Sequence, residues 1–232
     1  MTVDASPAEP TPRLLPRILA RVMGGIVIMG AMLFWPAGTF RYWPGWLFLA
    51  SLFVPMMVMT VYFLRRDPKL LERRLKTREQ QTTQKWAIAV FGVVAYGSLI
   101  LAGFDFRYGW SQLPGAVVIV ANLIIVLGFA MFFWVLQTNR YAARTVEVEA
   151  EQELIDSGPY AIVRHPMYTA VTPIMLMLPL ALGSLWALPP MVLVLPVLVV
   201  RIRNEEQVLR DELPGYPEYC QRVRWRLVPG LW

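Results

Sequence analysis

The residues with the greatest chemical capacity in this 232-residue chain stand in two short polar patches on either side of an apolar block. The first reads Gly158-Pro159-Tyr160-Ala161-Ile162-Val163-Arg164-His165-Pro166-Met167-Tyr168, and the second Arg201-Ile202-Arg203-Asn204-Glu205-Glu206. Glutamate accepts hydrogen bonds from a ribose or an amine. Arginine holds a carboxylate in a planar fork. An aromatic ring offers its face to a cation such as a sulfonium. Charges at membrane depth are costly and tend to mark a site. If the two patches meet, they gather His165, Tyr168, Arg201, Arg203, Glu205 and Glu206 from distant positions in the chain.

Plainer uses exist for the same residues. His165 beside Pro166 could cap a helix or bond a lipid headgroup. Arginines near helix ends commonly snorkel to the interface. Glu205 and Glu206 point in different directions on a helix, so one can serve a ligand while the other meets solvent or an arginine. Methionines and aromatic residues inside apolar runs are packing residues before they are ligand contacts.

Membrane-spanning elements must position the patches. Hydrophobic residues make up 56% of the chain and charged residues 16%, with a mean hydropathy of +0.47. An average soluble domain is about 25% charged. A run of about 20 apolar residues crosses the roughly 30 Å hydrocarbon core as a helix. Backbone groups in lipid must be satisfied internally, and no short alternating strands suggest a barrel. The pattern predicts an all-α, polytopic membrane bundle with spans near 18–35, 46–64, 86–104 and 113–136. The first block is long for a signal-peptide core and ends in bulky residues, so it is read as a retained span.

Charge orients the bundle. The loop at 65–85 carries Arg65, Arg66, Lys69, Arg73, Arg74, Lys76, Arg78 and Lys85 against Asp67, Glu72 and Glu79, and Arg13, Arg17 and Arg21 flank the first span. The positive-inside rule places both on the cytoplasmic side. The aromatic links Phe40-Arg41-Tyr42-Trp43-Pro44-Gly45 and Asp105 to Trp110 then face outward, as interfacial Trp and Tyr do. The N-terminal residues 1–16 read as a disordered cytoplasmic tail, residues 17–136 as a four-span domain, and 137–232 as a separate C-terminal region. Glu147, Glu149, Glu151, Glu153 and Asp156 there read as a solvated acidic face.

The block at 167–200 is too long for one ordinary span and holds Pro173, Pro179, Pro189, Pro190 and Pro196. With a turn at Leu182-Gly183-Ser184 it predicts a tightly packed helical hairpin, each arm about 16 residues and near the lower limit for crossing. A hairpin returns its second end beside its first and keeps both termini cytoplasmic. One long kinked helix is the alternative, and it would place the arginine-rich C-terminal segment outside.

The net charge is +6. Its basic residues border apolar blocks, which points to anionic lipid headgroups as partners rather than nucleic acid. The single histidine, His165, and single cysteine, Cys220, leave no Cys/His set with metal-site spacing and no intramolecular disulfide.

Taken together, Gly158-Pro159-Tyr160, then Val163-Arg164-His165-Pro166-Met167-Tyr168, then Glu205-Glu206, resemble the isoprenylcysteine carboxyl methyltransferase family. Leu213-Pro214-Gly215-Tyr216-Pro217-Glu218-Tyr219 and the ending Arg226-Leu227-Val228-Pro229-Gly230 are similar to that family's closing segment. The resemblance covers about residues 139–232. It implies a membrane methyltransferase using S-adenosylmethionine, with a cytoplasmic cofactor-binding tail and a lipophilic small molecule or lipidated group as acceptor. Carried over by motif position, Tyr160, His165, Pro166 and Tyr168 line the cofactor pocket and Glu205 and Glu206 hold it. Arg201 faces the reacting end of the acceptor, and His165 or Glu205 is the candidate base for a thiol or amine acceptor. A prenylcysteine-like carboxylate would need no base. Ala170 departs from the family's frequent glycine and is expected to tighten the pocket.

The same pattern also occurs in phospholipid and thiol methyltransferases. Arg164-His165-Pro166-Met167-Tyr168 and Tyr216-Pro217-Glu218-Tyr219-Cys220 have counterparts in membrane sterol reductases. An NADPH-dependent reductase of a lipophilic alkene is therefore the alternative, although the chain has no Gly-x-Gly-x-x-Gly fingerprint.

Overall fold

A computed structural model describes residues 14–75, 82–139, 141 and 153–232. The expected disordered tail lies outside the described residues up to Arg13, as do Glu147, Glu149 and Glu151 of the acidic stretch and Lys76, Arg78 and Glu79 of the basic loop. Among the described residues helix dominates and no strand occurs. The protein is an all-α membrane bundle.

Helix α1 (Leu14–Ala37) and helix α2 (Trp43–Arg66) overrun the apolar blocks that predict them, because helical hydrogen bonding continues into interfacial residues. Helix α2 ends on Arg65 and Arg66, where cations complement the negative end of the helix dipole. Asp67 then closes α2 through its backbone N–H and accepts Leu70 N at 3.1 Å through Oδ1. This cap starts α3 (Pro68–Leu75), a short helix within the segment expected as loop. Leu70 of α3 is buried with Met59, Phe63 and Leu136. Helices α4 (Thr82–Tyr108) and α5 (Gly115–Thr138) complete the set long and apolar enough to cross a bilayer.

Two glycines allow close helix approach. A Cβ on Gly103 of α4 would stand 2.6 Å from Leu33 O of α1. One on Gly128 of α5 would stand 2.5 Å from Ile174 Cγ1.

After α5, a 3-10 turn at Gly158–Ala161 leads into α6 (Pro166–Ala181). Beyond it come α7 (Leu188–Val192), α8 (Val194–Glu212) and α9 (Tyr216–Arg222). Helix α6 has 16 residues, as expected for a hairpin arm, and it ends in a turn where Gly183 has φ +73°. That turn is pinned from three sides. Tyr42 Oη donates to Leu182 O at 2.6 Å, Asn122 Nδ2 donates to Ala181 O at 3.1 Å, and Ser184 Oγ donates to buried Asp105. Asp105 also accepts Ser111 N and Ser111 Oγ, so its charge is fully hydrogen-bonded.

The chain therefore turns and returns, but the arms are not packed tightly on one another. Helix α6 lies chiefly along α5, and α8 lies along α4. Gln84 of α4 fixes α8 by donating to Arg201 O at 3.2 Å and Asn204 Oδ1 at 2.8 Å. Small residues explain the α6 preference, since Ala170 and Gly128 let α5 and α6 close together. Helix α8 also runs on to Glu212, so the second polar patch is part of the returning arm.

Candidate active site

Residues 201 and 205 are one helical turn apart and share a face of α8, while residue 206 lies about 100° further round. The structure separates the two glutamates accordingly. Glu205 Oε2 accepts Tyr168 Oη at 2.5 Å, and the same phenol oxygen accepts Arg201 Nε at 2.8 Å. Tyr168 is near the start of α6, so this relay joins the two arms where they converge.

Tyr168, Arg201 and Glu205 form the polar end of a cavity of about 600 Å³ between α1, α4, α5, α6 and α8. Its walls are mainly apolar and include Met29, Phe91, Ala95, Phe132, Met175 and Leu198. Small-molecule sites commonly combine such walls with a few convergent polar groups. Arg74 of α3 also reaches this cavity.

Glu206 faces away from it, into a cluster of cations. Arg226 donates to Oε2 through Nε at 3.0 Å and Nη2 at 2.9 Å. Arg210 Nη2 stands 3.6 Å from the same oxygen. Arg164 Nε is 3.2 Å from Oε1, close enough for an ion pair but off the line of a hydrogen bond. Burial alone would raise the Glu206 carboxyl, but hydrogen bonds from His165 and Arg226 and the charges of His165 and Arg164 bring it down to about 2.

His165 bridges the two glutamates. Its Nε2 is 3.3 Å from Glu206 Oε1 and its Nδ1 is 3.8 Å from Glu205 Oε1. Its ring is buried, and neither His165, Pro166, Tyr160 nor Glu206 lines the cavity. Pro166 opens α6, a position that needs no backbone N–H. Tyr160 accepts Asn139 Nδ2 at 3.0 Å, and its carbonyl accepts Tyr219 Oη at 2.7 Å. Burial pushes the Tyr160 phenol up to about 12, with the Asn139 bond opposing. Arg203 is exposed and stands apart from the cluster.

The C-terminal segment clasps this cluster from behind. Arg164 N donates to Trp225 O and His165 N to Arg226 O, each at 2.9 Å. Thr169 Oγ1 donates to Leu227 O at 2.8 Å. Trp232 O accepts Arg226 N and Leu227 N, and the Arg226 guanidinium lies 5.4 Å from the Trp232 ring centroid.

Sequence reasoning singled out every member of the relay but missed Arg164 and Arg226 as partners of Glu206. Both lie within the quoted motifs, and an acidic pair at membrane depth was the available signal that buried cations must exist. Arg74 carried no signal within its run of basic residues. Ala170 does not tighten the cavity as expected, because it is buried toward α5 beside Gly128.

These features define an integral membrane helical protein with a polar cluster at one end of the bundle and an apolar cavity leading from it. Residues 117–211, which take in nearly all of α5 and run through α8, match the model of the isoprenylcysteine carboxyl methyltransferase family. Through this segment the chain is similar to that family, whose members are S-adenosylmethionine-dependent methyltransferases. No curated protein matches the chain.

The donor set fits the cofactor that family members use. Glu205 offers a partly exposed carboxylate for hydroxyl or ammonium donors. The Tyr168 ring, which lines the cavity, offers aromatic surface for a sulfonium. Tyr216 Oη is buried without a hydrogen-bond partner among the described residues, which leaves a polar group for a ligand to satisfy. Among the described residues, no group of three or more His, Cys, Asp and Glu side chains could hold a metal ion.

Proposed function

We propose that the chain methylates a lipophilic acceptor whose reacting end is a carboxylate, with a prenylcysteine-like group as the leading candidate. The observation that carries this reading is the junction of a mainly apolar cavity with the polar end formed by Tyr168, Arg201 and Glu205. A lipid tail suits the cavity walls, and a carboxylate suits the Arg201 guanidinium.

S-adenosylmethionine, when bound, supplies a methyl group already activated by its positive sulfur. The protein's work is then alignment of the reacting groups. A carboxylate is ionised at neutral pH and needs no general base. Arg201 orients it, and the Tyr168 bond fixes the plane of the guanidinium. Tyr168 and Glu205 serve the cofactor side, and His165 holds the glutamates in register. Tyr160, Pro166 and Glu206 support the pocket from behind. The basic residues Arg65, Arg66, Lys69 and Arg74 flank this end, which favours a cytoplasmic site with both termini on that side.

The test uses purified protein and isolated membranes. Calorimetry with S-adenosylhomocysteine should show binding that Glu205→Ala abolishes. Radiolabel from S-adenosylmethionine should enter the lipid extract, and Arg201→Ala should stop it. Absence of both in folded protein, with protection by NADPH instead, would select a reductase of lipophilic alkenes.

A further inference from the structure

A second cavity of about 320 Å³ lies between α1, α2, α3 and α5, walled by Ile18, Val22, Met59, Phe63, Phe129 and Leu136 among others. It shares two lining residues with the larger cavity, Arg74 and Phe132. The Arg74 guanidinium carbon lies 4.9 Å from the Phe132 ring centroid, and Arg74 Nη1 lies 3.8 Å from Met167 Sδ. The two side chains thus stand as a partition between the spaces.

We propose that this pair is an internal gate on the acceptor's tail, and that the smaller cavity receives the tail's distal end. The proposal rests on the reading of the larger cavity as the acceptor site. The polar head has its place at Arg201 and Tyr168, so an apolar tail lies against the cavity's apolar lining, which includes Phe91, Ala95, Met175 and Phe132 of the shared wall. The space that continues beyond the shared wall is again mainly apolar. A long side chain such as that of Arg74 changes rotamer without backbone movement, so the partition can part for a long chain and close over a short one. Continuity through one shared pair favours the acceptor's own tail over an unrelated lipid chain. Arg74 and Phe132 then set which chain lengths the enzyme accepts.

The experiment uses full-length protein in phosphatidylcholine nanodiscs and two photoreactive probes. These are S-octyl- and S-eicosyl-N-acetylcysteine, each with a diazirine at the tail end. Labelled peptides are mapped by mass spectrometry. The short probe should mark α4 and α6 near Phe91 and Met175. The long probe should mark α2 near Met59 and Phe63. Met59→Trp, which fills the smaller cavity, should cut the α2 label of the long probe at least tenfold and leave the short probe's label intact. Leu136→Phe fills the same space from α5 and guards against a misfolded first variant.

Labelling of α4 and α6 alone by the long probe would overturn the proposal. So would an absence of cavity label from either probe. A diazirine phosphatidylcholine that marks α2 equally with and without saturating acceptor would also overturn it, by assigning the space to bulk lipid. S-adenosylhomocysteine binding on the same preparations is read separately. Its loss would sink the methyltransfer reading without touching the position of the tail.

Discussion

Arg201 Nε donates to Tyr168 Oη at 2.8 Å, and that phenol in turn donates to Glu205. A neutral group therefore stands between a cation and an anion one helical turn apart on α8. Removing the hydroxyl with Tyr168→Phe deletes two hydrogen bonds to charged groups, so kcat/KM should fall about ten- to a hundredfold or more. Arg201→Lys keeps the charge but loses the planar fork. It should raise the acceptor KM while leaving S-adenosylhomocysteine affinity unchanged. Equal damage to cofactor and acceptor binding would refute the assignment of Arg201 to the acceptor side.

Glu206 gives a pH dependence with a definite sign. Its carboxyl is held at about 2 in the folded protein, below the unfolded value of about 4.3. A depressed carboxyl contributes stability that is fully present above the unfolded value and is lost as pH falls through the folded one. The melting temperature in detergent should therefore drop between about pH 4.5 and 2, and Glu206→Gln should flatten that drop. Parallel acid limbs for wild type and variant would show that other carboxylates are responsible.

Gly103 and Gly128 should respond differently to the same substitution. Gly103→Ala meets a backbone atom, Leu33 O at 2.6 Å, which cannot turn aside. Gly128→Ala meets Ile174 Cγ1 at 2.5 Å, a side-chain atom, although Ala170 O is also near at 3.0 Å. Overpacking of this kind costs about 1–3 kcal/mol. Adding Ile174→Ala should recover part of the thermal stability lost in Gly128→Ala, and no side-chain change should recover Gly103→Ala. Full tolerance of Gly103→Ala would mean that the α1–α4 contact has slack.

The parts of this architecture that depend on local composition were legible in the sequence. Apolar runs gave the spans at 18–35 and 46–64 within a turn, and Leu182-Gly183-Ser184 marked the reversal that Gly183 makes. The opposed directions of Glu205 and Glu206 followed from helical geometry. What depends on which elements become neighbours was not legible. The arms of the hairpin lie on α5 and α4 because Gly128 and Gln84 happen to face them, and no periodicity encodes that choice. Arg74 meets Phe132 and Met167 only after α3 folds back over α5, so nothing distinguished it among its basic neighbours.

Two arginines reach the same oxygen of Glu206, and their environments separate their effects. The Arg226 side chain is 27% exposed and donates twice at 3.0 Å and 2.9 Å, whereas Arg210 is 45% exposed and stands 3.6 Å away. An exposed ion pair contributes about 0–1 kcal/mol, so Arg210→Ala should change little. Arg226→Ala removes a half-buried partner of a buried carboxylate, frees Trp232 from its cation contact, and loosens the backbone clasp on His165. It should lower the melting temperature by several degrees and weaken S-adenosylhomocysteine binding, with Arg226→Lys recovering the charge but not the double contact. Calorimetry on the three variants decides the matter: if Arg210→Ala and Arg226→Ala weaken binding alike, Glu206 is responding to net charge rather than to the clasp.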